Sequence, residues 1–308
     1  MQPEISVVIS TYNREKSLAG AIESILAQGN APAYELIVVD NRSTDGTREV
    51  VRAYEARRGW IVRYVFEGQQ GVSYGRNAGI AAAEAPLIAF TDDDVVVAED
   101  WLAAMKNTFE ERPECGCVGG KVLALWPETP PAWLTERHWG PLALLDYGTA
   151  QMLDAHNRKC LITANMGVRK TVFEQIGVFR PDFQKTAGST CSLEDRELQE
   201  RYWKAGGRCW FDPRVVVHAQ IQPFRLRKEY HRRWHLSHGE LHAILRDPEF
   251  ERSGFRFFGV PGHVWRRFAG ETFHAAVCAL GFQREHAFEH ELEARFFAGF
   301  IRKRYGQQ

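Results

Sequence analysis

The stretch that decides the fold is Leu87-Ile88-Ala89-Phe90-Thr91-Asp92-Asp93-Asp94, an apolar run of strand length that stops in three carboxylates. An apolar run without polar alternation predicts a strand covered on both faces. The same unit repeats upstream. Ile5–Thr11 is apolar and β-branched, and Leu18, Ile22, Ile25 and Leu26 follow at helical spacing. Residues 36–40 predict a second strand, with a helix through Val50, Val51 and Tyr54. Val62–Phe66 is a third strand, followed by a glycine-bounded helix near 71–83. Strands alternating with helices in this way predict an α/β fold with a mixed, mainly parallel sheet flanked by helices. Ligands of such sheets bind beyond the carboxyl ends of the strands. Here those ends read Thr11-Tyr12-Asn13-Arg14, Asp40-Asn41-Arg42-Ser43 and Asp92-Asp93-Asp94, so three polar clusters converge on one edge.

Working outward, 308 residues at 44% hydrophobic suffice for one large domain with an appended piece. A formal net charge of +0 lacks the basic surplus of a nucleic-acid binder, so no nucleic-acid partner is expected. The six cysteines form no C-x-x-C pair and read as reduced thiols of a cytoplasmic protein. No run approaches the ~18 apolar residues of a membrane span, and the apolar stretch at 5–9 is strand, not signal peptide. Between Trp126 and Trp139, Pro127, Pro130, Pro131 and Trp133 predict an irregular aromatic loop, its tryptophans mainly packing anchors with one in a cleft. Beyond it, 162–168 predicts a strand, 192–205 a helix closed by Gly206-Gly207, and 208–211 and 215–217 two short strands. From Phe224 onward the chain reads as mostly helical.

Three adjacent carboxylates repel one another unless a cation or water relieves them. Hard oxygen ligands suit Mg2+ or Mn2+. In an extended chain, alternation sends Asp92 and Asp94 to the same side. A solvated acidic turn is the competing reading. Ser192-Leu193-Glu194-Asp195 opens the later helix, where acids complement the helix dipole or, with Ser192, form a capping box. His218 ends a short strand, a place where histidine is more often structural.

Taken together, Ser10-Thr11-Tyr12-Asn13-Arg14, Asp40-Asn41-Arg42-Ser43-Thr44-Asp45-Gly46, Gly75-Arg76-Asn77-Ala78-Gly79 and Asp92-Asp93-Asp94 resemble the family 2 inverting glycosyltransferases of the GT-A fold, over roughly residues 4–240. The resemblance implies a Rossmann-like GT-A catalytic domain at 1–222, divided into a nucleotide-sugar-binding half (1–125) and an acceptor half (126–222), with a helical extension at 223–308. It implies a nucleotide diphosphate sugar donor, most often a UDP-sugar, and a divalent metal, Mn2+ or Mg2+. Thr11, Tyr12, Arg14, Asp40, Arg76, Asn77, Asp92 and Asp93 fall at the family's nucleotide-sugar contacts. Asp94 falls at the metal, with His218 where a family histidine contacts metal or diphosphate. Asp195 falls at the general base of the family's Glu-Asp motif, and Glu194 competes for that role. No Q-x-x-R-W motif is matched, which argues against a processive polysaccharide synthase. The acceptor is then a saccharide or a lipid-linked sugar of the cell envelope.

Residues 224–308 hold 15 Lys and Arg against 10 Asp and Glu, and eight of the eleven histidines. Phe288, Leu292, Phe296 and Phe300 recur every fourth residue, ahead of Arg302-Lys303-Arg304. One reading is peripheral contact of 284–304 with the inner face of an anionic membrane. The other is a helix packed on the protein or across a homodimer. Two further functions compete with transfer. A sugar nucleotidyltransferase would want a glycine-rich basic loop where this chain has Thr-Tyr-Asn-Arg. A non-catalytic nucleotide-sugar-binding scaffold would be expected to lack the acids at 92–94 or 195.

Overall fold

The structure, a computed structural model, describes residues 2–59, 61–184, 190–252 and 254–305. In chain order the elements are β1 (Ile5–Thr11), α1 (Leu18–Leu26), β2 (Tyr34–Asp40), α2 (Thr47–Arg58), β3 (Val62–Phe66), α3 (Val72–Ala82), β4 (Leu87–Thr91), β5 (Val95–Val97), α4 (Trp101–Glu111) and β6 (Cys117–Leu125). They continue with β7 (Gln151–Leu153), β8 (Met166–Arg169), α5 (Lys170–Ile176), α6 (Glu194–Lys204), β9 (Cys209–Gln220), α7 (Lys228–Leu245), β10 (Arg256–Phe257), β11 (Val260–Pro261), α8 (Gly262–Leu280) and α9 (Arg284–Tyr305). The chain forms two compact units, one of Met1–Pro127, Ala143–Gln184 and Glu194–Ile221, the other of Glu128–Leu142, Lys185–Leu193 and Gln222–Gln308.

The first unit is built on a nine-stranded mixed sheet of order β3-β2-β1-β4-β8-β6-β9-β5, with β7 paired to β9. Strands β3, β2, β1 and β4 are parallel, and β8 runs antiparallel to β4. Ile5, Val7 and Ile9 of β1 and Leu36 through Val39 of β2 are sealed from solvent, as unbroken apolar strands demand. Helix α3 lies on β1 through two glycines: a Cβ at Gly75 would stand 2.0 Å from Ser10 Oγ, and one at Gly79 2.3 Å from Val8 Cγ1. That close approach carries Arg76 and Asn77 toward the carboxyl edge of the sheet.

Two local expectations are revised. The strand expected at 162–168 begins only at Met166, because Thr163–Asn165 coils into a 3-10 turn. Buried Asn165 makes the turn tenable. Its amide donates to the carbonyls of Lys121 and Val215, and its oxygen accepts from the Trp101 indole. The two short strands expected after Gly207 are one strand, β9, which passes Pro213 where β6 shifts register between Gly119 and Lys121. At that irregularity the missing proline N–H removes no ladder bond.

The second unit is helical. Ala243, Phe250, Val260, Val264, Phe296, Phe297 and Phe300 form its core. Gly239 of α7 and Gly299 of α9 let the two backbones touch: a Cβ at Gly239 would lie 1.8 Å from the Phe296 carbonyl, and one at Gly299 2.0 Å from that of Leu236. The stripe Phe288, Leu292, Phe296 and Phe300 is therefore buried packing, which corrects the reading of 284–304 as a membrane-facing surface. Trp133 is likewise an anchor, its ring edge-on to those of His138, His231 and Phe288. Among the described residues no helix is long and apolar enough to cross a membrane.

Candidate active site

The parallel strands deliver three loops to one edge of the sheet, and side chains tie the loops together. Asn13, in the left-handed region at φ 53°, accepts from the Thr44 amide at 2.8 Å, and its own amide donates to Ser43 Oγ. Asn13 thus joins the β1 and β2 loops rather than capping a helix. Asp40 is buried at the end of β2, accepting from the Ser43 amide and the Tyr64 hydroxyl, both at 2.8 Å. Thr11 is buried at the end of β1, while the Tyr12 ring beside it is exposed and free to stack on a planar ligand. Tyr64 went unnoticed in the sequence because nothing local marks it, and only pairing of β3 with β2 brings it to Asp40.

The three carboxylates after β4 do not alternate, because Asp92 through Asp94 form a turn before β5. Asp92 turns toward Arg76 at 3.4 Å, whereas Asp93 and Asp94 turn toward Arg14, at 3.5 and 3.8 Å. The expectation that Asp92 and Asp94 share a side is corrected accordingly. Burial, and then the charge of Asp94, push the Asp93 carboxyl up to about 7. Both Arg14 contacts are longer than a hydrogen bond, so the guanidinium only partly relieves the pair. Crowded hard oxygens of like charge fit a divalent cation of the Mg2+ or Mn2+ type. His218 comes from β9, where it pairs with Val96, and the Gln220 amide bonds to the Asp94 carbonyl. This register sets Val96 and His218 on one face, beside the turn that carries Asp94.

The second half of the site gathers around Arg76, which is buried on α3. Its guanidinium bonds Glu194 Oε1 at 2.6 Å, reaches Asp92, and lies over the Phe179 ring. Burial opposes the Arg76 charge, but Glu194, Asp92 and Asp195 outweigh it and hold its pKa above the usual range. Glu194, at the first residue of α6, is buried and committed to this pair. Asp195 is not. It is half-buried, accepts from the backbone amides of Arg196 and Thr163, and is pushed up to about 7 by burial and by Glu194. The two neighbouring acids are thus chemically distinct, one clamped by a cation and the other poised to take a proton near neutrality. Asn77 points elsewhere, its amide exchanging hydrogen bonds with the backbone of Phe179 at 2.9 and 3.0 Å. The structure therefore brings Arg14, Arg76, Asp92, Asp93, Asp94, Glu194 and Asp195 into one charged network and sets Asn77 in a packing role.

The family model described as glycosyl transferase family 2 matches residues 6–177. The chain is 26% identical over 225 residues to a glucosyl-dolichyl phosphate glucuronosyltransferase of Haloferax volcanii, covering 72% of this chain and 71% of that one. It is 30% identical over 217 residues to a validoxylamine A glucosyltransferase of Streptomyces hygroscopicus subsp. limoneus, covering 62% of this chain and about half (47%) of that one. Its fold is similar to that of the mannosyltransferase PcManGT from Pyrobaculum calidifontis, solved with GDP-Man and Mn2+, at a TM-score of 0.65 and 17% identity, covering 100% of this chain and 89% of that one. It is also similar to S. aureus TarS 1-349, solved with UDP, at a TM-score of 0.56 and 17% identity, covering 99% and 92%. Motif order, sheet topology and charged edge agree with these likenesses: the chain belongs to glycosyl transferase family 2 and is a glycosyl-transferring enzyme of GT-A fold.

Proposed function

We propose that the enzyme transfers a sugar with inversion from a nucleoside diphosphate donor, most often UDP, to an acceptor hydroxyl, with Asp195 as general base. The acceptor oxygen attacks the anomeric carbon, its proton passes to Asp195, and the bond from that carbon to the diphosphate breaks. The observation that carries this reading is the unlike treatment of the two neighbouring acids: Arg76 clamps Glu194, while burial and the Glu194 charge lift Asp195 to about 7, a value it shares with Asp93 after β4. Thr11, Tyr12 and Asp40 bind the nucleoside, Tyr12 offering its exposed ring to the base. Arg14 reaches the diphosphate, while Arg76 orients Asp92 and Glu194. Asp94, with Asp93 beside it and His218 on the neighbouring strand, would hold Mn2+ or Mg2+, which supplies charge neutralisation for the departing diphosphate. The likeness to an enzyme named for a dolichyl-phosphate-linked sugar supports a lipid-linked or saccharide acceptor.

A thermal-shift panel of UDP, GDP, dTDP and CDP, each with Mn2+ and with EDTA, tests the donor site. A nucleotide at about 100 times its dissociation constant stabilises the fold by about 2.7 kcal/mol. The expected result is a Mn2+-dependent shift with one nucleotide that Asp94→Asn removes. A shift that survives EDTA and Asp94→Asn would overturn the metal assignment.

A further inference from the structure

Helix α8 is the weakly held element of the second unit. Of its 19 residues only Val264 is buried. Its first two turns are anchored, with Trp265 and Phe268 packed against the aromatic core. Beyond them the contact with α9 is polar. Glu271 and His274 lie one helical turn apart on the same face of α8. His290 meets them from α9, its Nδ1 2.7 Å from Glu271 Oε2 and its ring centroid 5.2 Å from that of His274.

One ligating atom from each of Glu271, His274 and His290 lies within 4.8 Å of the other two. Among the described residues, the ring nitrogens of His274 make no hydrogen bond to protein. A cavity of about 310 Å³, lined by Glu271, His290, Arg267, Glu289 and Glu293 among others, adjoins the cluster and leaves room for water. Arg267 stands 3.8 Å from Glu293, so its charge is offset on the spot.

We propose that Glu271, His274 and His290 form a zinc-type divalent cation site that clamps the second half of α8 to α9. Zinc bonds imidazole and carboxylate at about 2.0–2.2 Å, which sets tetrahedral ligand atoms about 3.4 Å apart. Reaching that spacing asks the widest pair to close by at most roughly 1.4 Å and the Glu271–His290 pair, at 2.7 Å, to open by roughly 0.7 Å, within the reach of χ rotation on partly exposed residues. Two imidazoles with one carboxylate favour zinc-type ions over Mg2+ and Mn2+. The site is thereby separated chemically from the carboxylate-led cluster after β4. An ion pair between Glu271 and His290 would by itself need no third ligand, and it is the participation of His274 that distinguishes the two readings.

The test uses the full chain, stripped with EDTA and free of nucleotide, titrated with Co2+ and followed by visible absorption. The expected result is one Co2+ per chain with d–d bands, displaced by Zn2+ but not by excess Mg2+. Affinity should fall at least about tenfold in His274→Ala and in His290→Gln. Asp94→Asn should leave the bands intact, so this site and the donor site fail separately. Zn2+ should also slow amide exchange over 269–281 in the wild type and not in His274→Ala, whose exposed position spares the fold. Absence of bands, or wild-type affinity retained in either histidine variant, would overturn the proposal.

Discussion

Burial acts in opposite directions in the two units. In the sheet-bearing unit it lifts the carboxyls of Asp93 and Asp195 to about 7. In the helical unit it drops the imidazoles of His231 and His235 to about 4 and lowers His138 as well. One physical cost, that of removing a charge from water, underlies both shifts. A carboxyl near 7 is a proton acceptor at neutral pH, whereas an imidazole near 4 is an uncharged ring. The second unit uses it as one: His231 and His138 sit edge-on to Trp133, and His138 stacks on Phe288. A histidine-rich segment is therefore no sign of chemistry where its rings are sealed among aromatics.

The contrast can be broken hardest at Arg76. Arg76→Met leaves Glu194 buried beside no cation, and breaking a buried pair costs about 3–5 kcal/mol. Urea unfolding with an unchanged m-value should register that loss, and Arg76→Lys should recover part of it. A cost below about 1 kcal/mol would mean that the first turn of α6 is held by packing and not by charge.

Next in size is Asp195→Asn. It should cut kcat by ~10²-fold or more while leaving nucleotide binding and the melting temperature nearly unchanged. Normal turnover would pass the base role to Glu194. The pH profile sharpens the same point. A carboxyl raised to about 7 holds its proton below that value and accepts none, so kcat at saturating donor should fall about tenfold per pH unit below about 7 and level above it.

In the helical unit the sign reverses. The folded pKa of His231, about 4, lies below the ordinary 6.5, so the unfolded chain binds the proton more tightly. Stability from this residue is fully present above about 6.5 and is lost as pH falls toward about 4. Between pH 7 and pH 5 this residue's share of the loss should be about 2 kcal/mol, with a like share from His235, so His231→Phe should roughly halve that part of the slope. An unchanged slope in the variant would assign the acid sensitivity to other groups.

The sheet and its ligand edge were legible in the sequence because each strand is a local apolar run and each loop a local polar cluster. The strand-end motifs, with the glycine-flanked Arg76 of α3, pointed Asp40, Arg76 and Asp92 through Asp94 to one edge of the sheet without any knowledge of packing. What the sequence did not show depends on contacts far apart in the chain. Arg76 meets Glu194 across 118 residues, and Tyr64 meets Asp40 only through strand pairing. The side to which Asp92 and Asp94 turn was misjudged because alternation holds for extended chain and fails in a turn. The aromatic stripe of α9 was ambiguous for a related reason. An apolar face shows that something covers it, and only tertiary structure shows that α7 and α8 supply the cover.

The smallest expected effect lies in Arg302-Lys303-Arg304, the run that suggested a basic membrane edge. Its arginines are paired within the unit, Arg302 with Glu240 and Arg304 with Glu251. Arg302 is largely exposed, and ion pairs in water gain little over their separate hydration. Arg302→Ala should therefore change the unfolding free energy by no more than about 0.5 kcal/mol. A loss above about 1 kcal/mol would show that the helical unit, too, leans on charge. The division between an ion-paired sheet unit and an aromatic helical unit would then give way to a single network, in which Arg302 does for α7 and α9 what Arg76 does for α3 and α6.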